Sequence, residues 1–148
     1  MSAIPENAFW ETLETPLVEE PLFYAQKSDG LRDWAETPRQ RKFLNDMHML
    51  APSILCFAIP NAGKRNPRLA RLEGIMGGVF DVCCQWEGGA AWIEFKGYRQ
   101  RRAGELSEAQ IRWGNRMHNM GKHVACFYSP DSAVQWIKGF RPEAFMGE

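Results

Sequence analysis

The stretch "GVFDVCCQWEGGAAWIEFKG" (Gly78–Gly97) constrains this chain more than any other. Two short apolar strands around a Gly-Gly turn predict a hairpin: Val79–Trp86, a turn at Gly88-Gly89, then Ala91–Lys96. A lone hairpin is marginal in water, so these strands require a larger sheet and elements to cover it. They also carry Asp81, Glu94 and Lys96, and ionised groups are costly among Val, Ile, Phe and Trp unless something binds charge there. On one strand Glu94 and Lys96 share a face with Trp92, while Ile93 and Phe95 point the other way. A register that sets Asp81 near Glu94 would bring two carboxylates and one ammonium together. The plain reading is a cross-strand salt bridge. The other is a cation site, because close carboxylates repel unless a cation lies between them. Mg²⁺ or Mn²⁺, held by carboxylates and completed by water and phosphate oxygens, suits the second reading.

The flanks supply the rest of the fold. "TPRQRKFLNDMHML" predicts a helix with Thr37 as N-cap, Pro38 in the first position and Gln40 completing a capping box. Phe43, Leu44, Met47 and Leu50 give it a buried face. "SILCFAIP" reads as a strand, followed by a basic loop and a short helix around residues 67–74. The basic loop "GYRQRRAGEL" leads into a second helix, Ser107 to about Met120, closed by Gly121. On it Gln110, Trp113, Gly114 and Met117 fall on the buried face, and Arg112, Arg116 and Asn119 on the wet one. "HVACFYS" is a further strand, and a last helix starts with Ser129 as N-cap and Pro130 in its first position. The order α-β-β-β-α-β-α predicts an α/β domain over residues 36–148, a mixed sheet with helices on its faces. Residues 1–35, acidic and proline-containing, read as an arm that packs on this domain or on a second copy.

Charge is uneven. The chain of 148 residues has zero formal net charge, yet residues 1–60 carry 5 Lys/Arg against 9 Asp/Glu, and residues 61–102 carry 8 against 4. The basic excess thus surrounds the hairpin. Four cysteines without a CxxC pair predict buried, reduced thiols rather than zinc ligands or disulfides. The first residues lack a basic segment followed by an apolar run, and no stretch approaches the ~20 apolar residues of a membrane helix. A cytoplasmic protein is expected, or one of the host-cell cytoplasm if the source is viral.

Four ordered blocks go further: "IPNAGKRN" (59–66), "GIMGGVFD" (74–81), "IEFKG" (93–97) and "GELSEAQ" (104–110). Together they resemble the virus-type replication-repair nuclease (VRR-NUC) branch of the PD-(D/E)XK nucleases. The resemblance implies a restriction-endonuclease-like core and metal-dependent phosphodiester hydrolysis. It makes Asp81 and Glu94 metal-binding acids, Lys96 the catalytic lysine, and Gln110 the glutamine that opens the next helix. A further acid on the first helix is matched by Glu36, which a Thr37 cap would place just outside that helix. Phe80 stands where the family usually has Pro.

The resulting expectation is a structure-selective DNA endonuclease. Asn61, Lys64, Arg65 and Arg68 on one loop, and Arg99, Arg101 and Arg102 on the other, would track phosphates beside the site. Without a base-reading module, DNA shape is the expected target, with four-way junctions favoured and a homodimer supplying paired cuts. The competing readings are a nucleic-acid-binding module with a silent site and a nuclease subunit of a larger repair or restriction complex. A third reading, a small-molecule enzyme on an α/β scaffold, finds no Gly-rich nucleotide loop in the chain.

Overall fold

The computed structural model describes residues 19–60 and 67–145. Its centre is a five-stranded mixed sheet made of β1 (Tyr24–Ala25), β2 (Leu55–Ala58), β3 (Val82–Trp86), β4 (Gly89–Phe95) and β7 (His123–Phe127), in the order β1-β7-β4-β3-β2. β1 and β4 both run parallel to β7, while β3 is antiparallel to both β4 and β2. β3 is therefore the one strand of this sheet that runs against the others. Three long helices cover the sheet, α1 (Glu36–Leu50), α3 (Glu108–Asn119) and α4 (Pro130–Phe140), with a six-residue α2 (Pro67–Leu72) between β2 and β3. A separate two-stranded ribbon, β5 (Tyr98–Arg99) and β6 (Arg102–Ala103), follows β4 directly.

The alternation of the strands divides the core in two. Val82, Cys84, Ile93, Phe95, Ala125 and Phe127 face α1 and α4, where Phe43, Met47 and Ile137 meet them. The opposite face packs Trp92, Val124 and Cys126 against Phe80, Phe23 and the Trp113–Met117 side of α3. Glu94 sits between Ile93 and Phe95 on β4 and so points to the α3 side. All four cysteines are buried and free. Cys83 and Cys84 part to opposite faces, and Cys84 lies opposite Cys56 with their sulfurs 3.2 Å apart.

Several expectations need correction. The first helix begins at Glu36, with Ala35 as a cap that makes no side-chain hydrogen bond, so Thr37 and Gln40 form no capping box. Tertiary contact holds this end instead, because the backbone of Ala35 and Glu36 rests directly on Gly97. The hairpin turn is Glu87-Gly88, and Gly89 already pairs with Trp86 as the first residue of β4. The "GYRQRRAGEL" loop contains the β5–β6 ribbon, whose turn takes Gln100 and Arg101 to positive φ. Arg112, expected on the wet face of α3, is only 5% exposed. The described part of the arm meets the same helix. Residues 19–25 run along this helix, where the Leu22 N–H donates to Asn115 Oδ1 and Asn115 Nδ2 donates to Glu19, before adding β1 to the sheet edge. Residues 19–35 thus pack on this chain's own core. Phe9, Trp10 and Leu17, also assigned to the arm, lie outside the described residues.

The second helix follows the sequence closely. Ser107 caps it, the Gln110 N–H donates to Ser107 Oγ at 3.2 Å, and the Ser107 N–H donates back to Gln110 Oε1 at 2.9 Å. Ser129 caps α4 in the same way, with Pro130 in its first position. Among the described residues, no helix is long and apolar enough to cross a membrane.

Candidate functional site

β4 ends with Glu94 and Phe95, and Asp81 directly precedes β3, whose first residue Val82 pairs with Ile93. The Asp81 N–H donates to Glu94 Oε1 at 3.2 Å, which ties the two strands together at this point. Lys96 follows at once, its own N–H donating to the Phe127 carbonyl at 2.9 Å, so β7 fixes the backbone of the lysine. Its Nζ lies 3.4 Å from Glu94 Oε2. α1 brings the third acid. Glu36, Asp81 and Glu94 each offer a carboxylate oxygen, and the three oxygens lie within 4.8 Å of one another.

Two glycines make this convergence possible. A Cβ on Gly97 would stand 2.4 Å from the Glu36 nitrogen, so only a residue without a side chain lets α1 start against the end of β4. Gly78, at φ +85°, would place a Cβ 2.2 Å from the Ala109 carbonyl oxygen, and its bare backbone lets the approach to Asp81 lie on the first turn of α3. That first turn carries Gln110. Its Nε2 donates to Glu94 Oε2 at 2.8 Å while its Oε1 accepts from Ser107, so the amide is oriented from both ends. Both oxygens of Glu94 are therefore held, one by β3 and the other by α3 and Lys96.

Glu94 is 1% exposed, and Glu36 and Asp81 are half-buried. Burial, reinforced by the Asp81 charge and opposed by Lys96, pushes the Glu94 carboxyl up to about 8. Burial also raises Glu36, to about 7, with Lys96 opposing and Asp81 adding to the shift. The Cys126 thiol, beside Glu94 on β7, is pushed up to about 12, chiefly by burial and then by the Glu94 charge. One ammonium thus faces three acids. The Lys96–Glu94 ion pair that the plain reading expects is present, but it does not relieve the crowding of carboxylates.

Comparison with family models, with curated proteins and with solved structures finds no match.

The basic residues are distributed unevenly around it. Arg99 and Arg102 pair across the β5–β6 ribbon and are exposed, three and six residues beyond Lys96. Arg101 is exposed too and donates to Asp33 at 3.0 Å, which offsets part of its charge. Arg68 is exposed on α2, whereas Asn61, Lys64 and Arg65 lie outside the described residues.

Sequence reasoning missed Arg39. It is fully buried on α1, its Nη1 donating to Asp29 Oδ2 at 2.6 Å and to the Tyr128 carbonyl at 2.8 Å, and its Nε to the Trp34 carbonyl at 2.9 Å. The signal was available. Arg39, Phe43 and Met47 follow i, i+4 and i+8, and an arginine on an apolar stripe implies a buried partner, whereas Leu50, also expected on this face, is 41% exposed.

Proposed function

We propose that this chain is a divalent-metal-dependent DNA endonuclease with a restriction-endonuclease-like core, similar to the VRR-NUC branch of the PD-(D/E)XK nucleases. One observation carries the reading: three carboxylates from three separate elements converge within 4.8 Å, with the Lys96 ammonium against one of them. Hard oxygen donors crowded until two of them hold their protons well above the usual range fit Mg²⁺ or Mn²⁺.

Glu36, Asp81 and Glu94 would hold the ion. When bound, such an ion polarises a phosphodiester and lowers the pKa of coordinated water. The chain's own groups do the rest. Gln110 and the Asp81 N–H keep the Glu94 carboxylate in one orientation, so a ligand oxygen need not reorganise. Lys96, its backbone tied to β7, aims an ammonium at the same point and offsets negative charge developing on the phosphoryl oxygens. Arg99 and Arg102, exposed on the ribbon that follows Lys96, would contact phosphates without reading bases.

The test is cleavage of labelled duplex, flap, single-stranded and four-way-junction DNA by the purified chain, with Mg²⁺ or Mn²⁺ against a chelator control. Metal-dependent cuts, most frequent on branched DNA, are expected. Binding to all four without any cut would favour the non-catalytic nucleic-acid-binding module.

A further inference from the structure

Arg39 does not reach the acids, yet it is the residue on which the placement of Glu36 converges. It lies one turn beyond Glu36 on α1, and its guanidinium gathers three separate pieces of chain. The Asp29 carboxylate accepts from both terminal nitrogens, and the Leu31 and Trp34 carbonyls accept from Nη2 and Nε. The Tyr128 carbonyl accepts from Nη1. Tyr128 directly follows Phe127, whose carbonyl anchors the Lys96 N–H. The Trp34 carbonyl also accepts from the Tyr98 N–H, two residues beyond Lys96. The rings of Trp34, Tyr98 and Tyr128 enclose the cation at 4.7, 5.8 and 5.7 Å.

We propose that Arg39, with Asp29, is a positioning residue for the metal centre, fixing the start of α1 so that the Glu36 carboxylate reaches Asp81 and Glu94. The inference rests on the metal-centre reading above. The cap of α1 makes no side-chain hydrogen bond, so no cap side chain fixes this helix end, and the Arg39 fork and the Gly97 contact do so instead. A planar fork with five donors meets this set of acceptors, whereas a lysine carries the same charge without the geometry.

The test is a double-mutant cycle on the full chain, read by calorimetric Mn²⁺ binding rather than by cleavage. Arg39→Lys should weaken Mn²⁺ about 10- to 100-fold in the wild-type background, the usual size for a partner outside the ligand set. In a Glu36→Gln background the same change should have little further effect. An equal loss in both backgrounds, or none in either, overturns the proposal. Should Arg39→Lys fail to fold, Asp29→Asn completes the same cycle with the same expectation. Should the wild type bind no Mn²⁺, the metal reading falls separately. A crystal structure of Arg39→Lys or Asp29→Asn then decides the positioning claim, which stands if the Glu36 carboxylate has left Asp81 and fails if it has not.

Discussion

At the scale of single residues, Lys96 separates chemistry from binding. Lys96→Ala should reduce the cleavage rate by orders of magnitude while DNA affinity falls little, because one lysine supplies a small share of phosphate contact. Single-turnover rates beside binding isotherms check this, and parallel losses in both would contradict it. The acids give a pH signature of unusual sign. Glu36 and Glu94 hold protons in the folded state up to about 7 and about 8, but release them near the ordinary carboxylate value once unfolded. The folded state therefore binds more protons across that window, and stability falls as pH rises through it. Metal-free protein should melt at a lower temperature at pH 8 than at pH 5.5. Glu94→Gln should flatten that slope, and Mn²⁺ at pH 8 should reverse the loss. Melting curves at several pH values decide it, and a wild type that gains stability toward pH 8 would refute the crowding of acids. The charged residues of this site were legible because charge in an apolar strand is conspicuous. The burial of Arg39 could be read from its place on the apolar stripe of α1, but its partners could not, since Asp29 and Tyr128 lie 10 and 89 residues away.

At the scale of elements, local chemistry succeeded where it was local. Ser107 with Gln110, and Ser129 with Pro130, mark the starts of α3 and α4 as their residues predict. It failed at α1, where Thr37-Pro38 looked like a start but contact with Gly97 sets the boundary at Glu36. The shift matters, because it places Glu36 inside the helix and within reach of the other acids. Gly97→Ala should cost about 1–3 kcal/mol through the forced retreat of α1. It should also weaken Mn²⁺ binding while the far-ultraviolet circular dichroism stays unchanged. Denaturant melts and calorimetry test both parts, and wild-type stability would show that α1 does not depend on this contact. The proposed DNA path is tested on the β5–β6 ribbon. Replacing Arg99 and Arg102 together should weaken binding and flatten its salt dependence, with the cleavage rate at saturation unchanged. An unchanged salt slope would take the ribbon off the DNA path.

At the scale of the whole molecule, the mixed sheet and its helical layers were legible from short apolar runs, the Gly-Gly turn and helix stripes. The fifth strand was not. Two residues of β1 carry no period, and they join the sheet beside a buried Phe23 that meets Phe80 at a ring distance of 5.4 Å. Removing residues 1–30 would take away β1, Phe23 and Asp29 together, so that deletion should destabilise the chain whatever its assembly. A homodimer, which would supply two matched cuts on a four-way junction, is tested separately by light scattering of the intact chain, where twice the monomer mass is expected. The most direct test of the central claim is the Mg²⁺-dependent cleavage rate of wild type beside Asp81→Asn and Glu94→Gln, with melting curves showing that all three fold. Each variant removes a ligand charge and almost no volume. Cleavage by the wild type and none by either folded variant is the predicted result. Wild-type rates in both would contradict the metal centre and leave Lys96 and Glu94 as a salt bridge.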